Sequence, residues 1–266
     1  MNKFYIQIIL FLLSISLYAN NKTLATEPAL RKATKSKSKK CYLISEEIYE
    51  KNQRLLCTNP DETTEASKLT NDAVKHFEYH ATCEDGYEFI WEDPFKDLFY
   101  YKKKHNDTKF NKFEYMVRGS DKYNEEIDKL WDPYFPNLLD YVSTKRKIVR
   151  VYSPNLIMIQ QRYRNCCFGL QKYFYALVKK SQISEDKTII AMTSANVNDH
   201  NPSKKKYKNK IIENANLFTS DIDSEDDIRN GKIQKTYVNI AGYLIEKKDN
   251  HVYVTYVDAI DGNTPF

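Results

Sequence analysis

Apolar residues along the chain follow two periods, and the switch between them divides it. Ala66, Leu69, Ala73 and Phe77 recur at helical spacing, which gives one buried stripe. Asn59-Pro60-Asp61-Glu62 opens that helix with a capping side chain, a proline at its first position and an acidic first turn. Ser45-Glu46-Glu47 opens a shorter helix with a capping residue and the same acidic start. From Gly86 the period becomes two, because Tyr87, Phe89 and Trp91 alternate with polar neighbours. Leu98 to Tyr101 and Phe113 to Val117 give two more strands, separated by a polar loop from Lys102 to Asn111. Ser120 caps a helix that carries Ile127, Leu130 and Trp131, and Asp132-Pro133 stops it.

The second half is mostly strand. Ile148 to Tyr152 and Leu156 to Tyr163 are joined by the turn Ser153-Pro154-Asn155. Tyr173 to Val178 and Thr188 to Ala195 flank a polar loop, Ser181 to Lys187. A charged stretch from Asn198 to Gly231 contains a short helix at Lys210 to Leu217 and otherwise reads as a mobile insertion or an interaction surface. Lys235 to Glu246 and His251 to Val257 form a last hairpin. The order is two helices, three strands, a helix and six strands. Successive hairpins imply an α+β fold with a curved antiparallel sheet rather than βαβ units. A sheet this large curls around something apolar.

The N-terminus adds a destination. Lys3 precedes an almost unbroken apolar run from Ile6 to Leu17, too short to span a bilayer and suited to a signal peptide over residues 1–25, cut near Ala19 or Ala25. The secretory route follows. Residues 26–44 form a basic linker around Arg31-Lys32 and Lys35 to Lys40, with a second reading as an attraction to anionic membrane. The single domain then covers 45–266. The 21 tyrosines suit strands and pockets for amphipathic ligands, while only 6 glycines and no phosphate-cradling motif argue against nucleotide binding. Five cysteines, Cys41, Cys57, Cys83, Cys166 and Cys167, match no zinc spacing. Cys41, Cys57 and Cys83 are candidates for pairing, without a choice among them. His76 and His80 sit one turn apart, but Phe77 breaks the H-E-x-x-H order, leaving an exposed helix face and no enzyme reading. The basic run lacks interleaved aromatics, so nucleic acid is not an expected partner.

Several segments resemble the START (steroidogenic-acute-regulatory-related) lipid transfer domains. They are Leu130-Trp131-Asp132, Thr193-Ser194 with His200-Asn201-Pro202, Ala241 to Ile245, and Val254 to Gly262 with Pro265. The whole chain, with its leader Met1 to Ile6 and Asn20 to Glu27, resembles the secreted fam-a proteins of malaria parasites. The resemblance implies a helix-grip fold, a phosphatidylcholine-like phospholipid in an internal tunnel, no enzymatic activity, no cofactor, and secretion toward the vacuole or host red cell. It also implies a monomer that touches membranes transiently. Two departures stand out. Gln171-Lys172 replaces the family's Arg-Asp, and the sequence stops at Phe266, where the family continues into the C-terminal helix that the sheet grips.

Strand parity then nominates a lipid-binding set. With Gln160, Arg162 and Lys172 facing water, Ile157, Ile159, Gln161, Tyr163, Tyr173, Tyr175 and Leu177 face the interior. Tyr163, Tyr173 and Tyr175 would cage a choline ammonium and Arg150 would meet the phosphate. The rival expectation is a secreted host-interaction protein, antigenic or adhesive, or a truncated copy without transfer activity.

Overall fold

The computed structural model describes residues 42–105, 107–136, 144–164 and 170–262. The signal peptide, nearly all of the linker, Cys41, Cys166, Cys167 and Pro265 lie outside the described residues.

Helix α1 (Ser45–Lys51) starts one residue away from the expected cap. Ile44 occupies the cap position, Glu47 accepts from its backbone N–H at 3.0 Å, and the Ser45 hydroxyl is buried without a partner. Helix α2 (Pro60–Thr82) starts as its sequence predicts, with the Asn59 side chain accepting from the N–H groups of Asp61 and Glu62. Strands β1 (Glu88–Asp93), β2 (Leu98–His105) and β3 (Thr108–Arg118) follow. The expected polar loop from Lys102 to Asn111 is instead a pair of strand arms, in which Lys102 faces Asn111 and Lys103 faces Phe110. Lysine stems lie along a strand and keep their charges wet, so polarity alone does not end one.

Helix α3 (Tyr123–Trp131) leads to β4 (Lys145–Ser153), β5 (Leu156–Tyr163), β6 (Lys172–Ser184) and β7 (Lys187–Thr193). The segment 194–236 holds two short strands, β8 (Asn196–Asn198) and β9 (Thr219–Asp221), and a helical turn, α4 (Asp226–Arg229). It also carries β10 (Gln234–Lys235). The chain returns through β11 (Tyr237–Lys247) and β12 (His251–Asp261). The main sheet has the order β1-β2-β3-β12-β11-β7-β6-β5-β4, with every neighbouring pair antiparallel.

The register sorts the sheet into two faces, because directly paired residues point the same way. On one lie α2 and the segment 194–236: Phe77, Leu156, Met158, Leu177, Ile189 and Leu244 belong to this core. Gly242 is required there, since a Cβ would sit 2.2 Å from the Ile190 carbonyl oxygen and 3.1 Å from the Phe77 ring. On the other face lie α1 and α3, over Ile148, Ile157, Ile159, Val178, Ile190 and Ile245. The segment 194–236 is no loose insertion. Ile212, Ala215, Phe218, Ile222, Ile228 and Ile233 bury themselves beneath it in the α2 core, and its 3-10 turn at Glu213–Asn216 replaces the longer helix expected there.

Candidate functional site

The residues nominated from parity divide between the two faces. Ile157 pairs with Val178 and Ile159 with Ala176 in β5 and β6, which sets them on the α3 face. Gln161 and Tyr163 share that face, Gln161 accepting from Arg146 Nε at 2.8 Å and Tyr163 donating to Thr236 Oγ1 at 3.1 Å. Tyr173, Tyr175 and Leu177 point the other way, paired with Arg162, Gln160 and Met158. The three tyrosines therefore cannot enclose one cation. Gln160, expected in water, is buried beside Tyr175, and Lys172, likewise expected outside, is buried with its ammonium donating to the Gly262 carbonyl at 3.0 Å.

The cause is a partner from far along the chain. Glu225 and Asp227 at α4 descend onto β5: Arg162 grips Asp227 through both Nη atoms, at 2.6 and 3.0 Å, and reaches Glu225 at 3.0 Å. Gln160 donates to the Tyr175 hydroxyl at 2.6 Å and to Glu225 at 2.9 Å. Burial acts to raise the Glu225 carboxyl, but hydrogen bonds from Gln160 and Lys147 outweigh it and bring it down to about 2. Tyr173 donates to Asp199 at 2.9 Å, and burial first, then Asp199, pushes its phenol up. Arg150, the expected phosphate ligand, is spent on Glu62 and Ser220 at 2.6 Å each and on the Asp221 carbonyl at 2.8 Å. These side chains fasten the segment 194–236 to the sheet.

The α3 face differs in kind. Aromatic rings cross it in one row over five strands. Trp91 lies 5.6 Å from Tyr100, Tyr100 stacks on Phe113 at 4.4 Å, Phe113 lies 6.2 Å from Tyr256, and Tyr256 lies 4.9 Å from Tyr243. One register step along sit Asp258, Asn111 and Ala241. Asn111 Nδ2 donates to Asp258 at 2.7 Å, and Asn111 Oδ1 accepts from the Tyr100 hydroxyl at 2.8 Å. Burial raises the Asp258 carboxyl to about 6. Among the described residues no cation forms an ion pair with it. Aliphatic side chains continue the floor toward β4 beneath α1 and α3, and polar side chains, among them Asn111, Arg146, Gln161 and Lys172, are set into the same face.

No protein-family model matches the sequence, and no curated protein matches it. Solved structures do match. Human StAR-related lipid transfer protein 5 superposes with a TM-score of 0.53 at 12% identity, covering 77% of this chain and 86% of its own. The fold is that of a START domain. Human STARD10 aligns over 73% of this chain and 68% of its own, with 13% identity and a TM-score of 0.43. A STAR-related lipid transfer protein from Xanthomonas axonopodis aligns over 68% of this chain and 86% of its own, with 9% identity and a TM-score of 0.40. At such identities the likeness is one of fold.

Within this START fold, α3 and its Trp-Asp end organise one border of the apolar face. Tyr115 donates to the buried Glu126 at 3.1 Å, Tyr123 and Thr188 share a hydrogen bond of 2.9 Å, and Asp132 accepts from the Leu43 N–H at 2.8 Å. A cleft of about 480 Å³ opens there between α1, α3 and the β6–β7 hairpin, with Lys180 on its wall. Among the described residues no group of three His, Cys, Asp or Glu side chains could hold a metal ion. His76 and His80 do not share an exposed face, since His80 is buried against the Phe110 ring at 4.5 Å. Cys57 and Cys83 are separate thiols. The aromatic row escaped the sequence reading. Tyr100, Phe113, Tyr243 and Tyr256 each fall within a strand that the sequence predicts, but their alignment is a matter of register.

Proposed function

We propose that the domain carries a single phospholipid of the phosphatidylcholine type, held with its acyl chains along the α3 face of the sheet, and that it is a secreted carrier without catalytic activity. The reading is supported by the fold likeness to a StAR-related lipid transfer protein and by the cleft of about 480 Å³ between α1, α3 and the β6–β7 hairpin, at the border of an apolar face whose Ile148, Ile159 and Val254 are themselves buried in the core with those helices. A two-chain lipid transfers roughly thirty methylenes out of water at about 0.8 kcal/mol each, so leaving a bilayer costs on the order of 20 kcal/mol unless the protein offers matching apolar enclosure. A sheet face of branched aliphatic and aromatic side chains offers that enclosure, and one buried carboxyl with its amide partner offers orientation. Fold likeness to lipid transfer domains agrees with this reading.

Native mass spectrometry of the purified protein tests it, followed by transfer of fluorescent phosphatidylcholine between vesicles. Wild type is expected to retain one lipid mass and to transfer. Ile159→Trp, which fills the α3 face, lowers occupancy, whereas Tyr175→Phe on the α2 face leaves occupancy unchanged. A lipid-free wild type, or loss of lipid with Tyr175→Phe but not Ile159→Trp, refutes the reading.

A further inference from the structure

The row of rings on the α3 face reaches solvent at β1, where apolar exposure is concentrated. Phe89 is 56% exposed, Ile90 and Trp91 42% each, and Phe95, at the turn into β2, 97%. Trp91 is tilted against Tyr100 on the α3 face, and Phe89 meets Tyr101 edge-on on the α2 face at 5.8 Å. The edge strand therefore presents apolar side chains to both sides and at its tip. We infer that the β1–β2 edge is the surface by which this protein docks on the interfacial layer of a phospholipid bilayer. The inference rests on the carrier reading.

Three observations choose this occupant. A second copy paired antiparallel along β1 in the symmetric register would set Glu88 against Asp93 and Phe89 against Glu92, like charge on like and ring on carboxylate. An added strand from another protein meets the irregularity at Ile90, where the pairing of β1 with β2 shifts between Phe89 and Trp91. A bilayer interface needs no register and takes up tryptophan and phenylalanine at the depth of the headgroups. The row from Trp91 to Tyr243 also makes the exposed edge continuous with the face assigned to the lipid. Charge plays a minor part. Glu88, Glu92, Asp93 and Asp97 balance Lys96, Lys102, Lys103 and Lys104, and Lys96 lies 3.6 Å from Asp93. Docking is thus expected on neutral lipid and little affected by salt.

The chain has two tryptophans, Trp91 and the buried Trp131, so emission reports on the edge directly. Adding phosphatidylcholine vesicles to the full chain is expected to shift the emission to the blue, and Trp91→Phe to abolish the shift. Phe89→Ser/Phe95→Ser is expected to weaken cosedimentation with the vesicles by about tenfold or more, equally at low salt and at about 0.5 M salt. Native mass spectrometry of that variant separates the two ideas: a retained lipid with lost docking supports this surface. Docking undiminished in the variant overturns it. So does docking that requires anionic lipid and vanishes in salt, which would point to the basic run. A discrete dimer formed without vesicles would overturn it in favour of a protein partner. Absence of lipid from the wild type would instead refute the carrier reading.

Discussion

Asp258 is the sharpest test of the α3 face, because a carboxyl set into an apolar floor must leave a signature in stability. It is buried, its carboxyl is raised by desolvation to about 6 from an ordinary 3.8, and its hydrogen-bond partners are neutral, the Asn111 amide and the Tyr256 side chain. Between those two values the folded state holds a proton that the unfolded chain has released. Stability therefore falls as pH rises through this window, and the penalty is complete above about 6. The gap corresponds to about 3 kcal/mol at neutral pH, at roughly 1.4 kcal/mol per pH unit. Asp258→Asn keeps an oxygen to accept from Asn111 and removes the charge. The variant is expected to be more stable than wild type by up to about 3 kcal/mol at pH 7.5, a rise in Tm of roughly 6–12 °C. The advantage should shrink below pH 6 and vanish near pH 4. Differential scanning calorimetry of both proteins from pH 4 to 8 measures it. A Tm difference constant across that range, or a less stable variant at pH 7.5, would refute the burial argument.

Other perturbations address the α2 side. Phe77→Ala removes a wholly buried ring that packs over Gly242 and should cost about 3–5 kcal/mol; urea unfolding would show this as a lower midpoint with an unchanged slope. Arg162→Gln opens the clasp on Asp227 and Glu225, and amide exchange of residues 222–233 should accelerate while that of β11 and β12 does not.

Element type and order were legible in the sequence because capping, proline placement and periodicity are local. The Asn59-Pro60 start of α2 and the stripe at Ala66, Leu69, Ala73 and Phe77 stand as expected. The antiparallel hairpins stand as well. The site was harder to read, for a physical reason. Parity within β5 and β6 is readable separately, but joining them needs their register, and the polarity of Gln160 and Arg162 misdirected the choice of face. Both are polar because Glu225 and Asp227 meet them from more than 60 residues away. Arg150 was misread in the same way, since its carboxylate lies on α2, 88 residues earlier. Segment 194–236 seemed an insertion by charge, although its isoleucines carried the contrary signal.

His80 completes the acid behaviour and opposes Asp258. Its ring stacks on Phe110, its Nδ1 lacks a partner, and burial, helped by the nearby charges of Lys103, His76 and His105, lowers its pKa to about 4 from 6.5. Between these values the unfolded chain binds the proton and the folded chain does not, so stability falls as pH drops from 6.5 toward 4. Asp258 gives the opposite slope over nearly the same window, and each effect amounts to about 3 kcal/mol. The pair should leave wild type nearly flat between pH 4 and 6.5 as far as these two groups are concerned. Each single variant should then uncover the other: Asp258→Asn loses stability on acidification, and His80→Phe gains it. The double variant returns to a flat profile, because the two groups sit on opposite faces and their contributions add. A His80→Phe profile that matched wild type would show that this ring is hydrated in the folded protein, and the stacked, dry geometry beneath α2 would have to be abandoned.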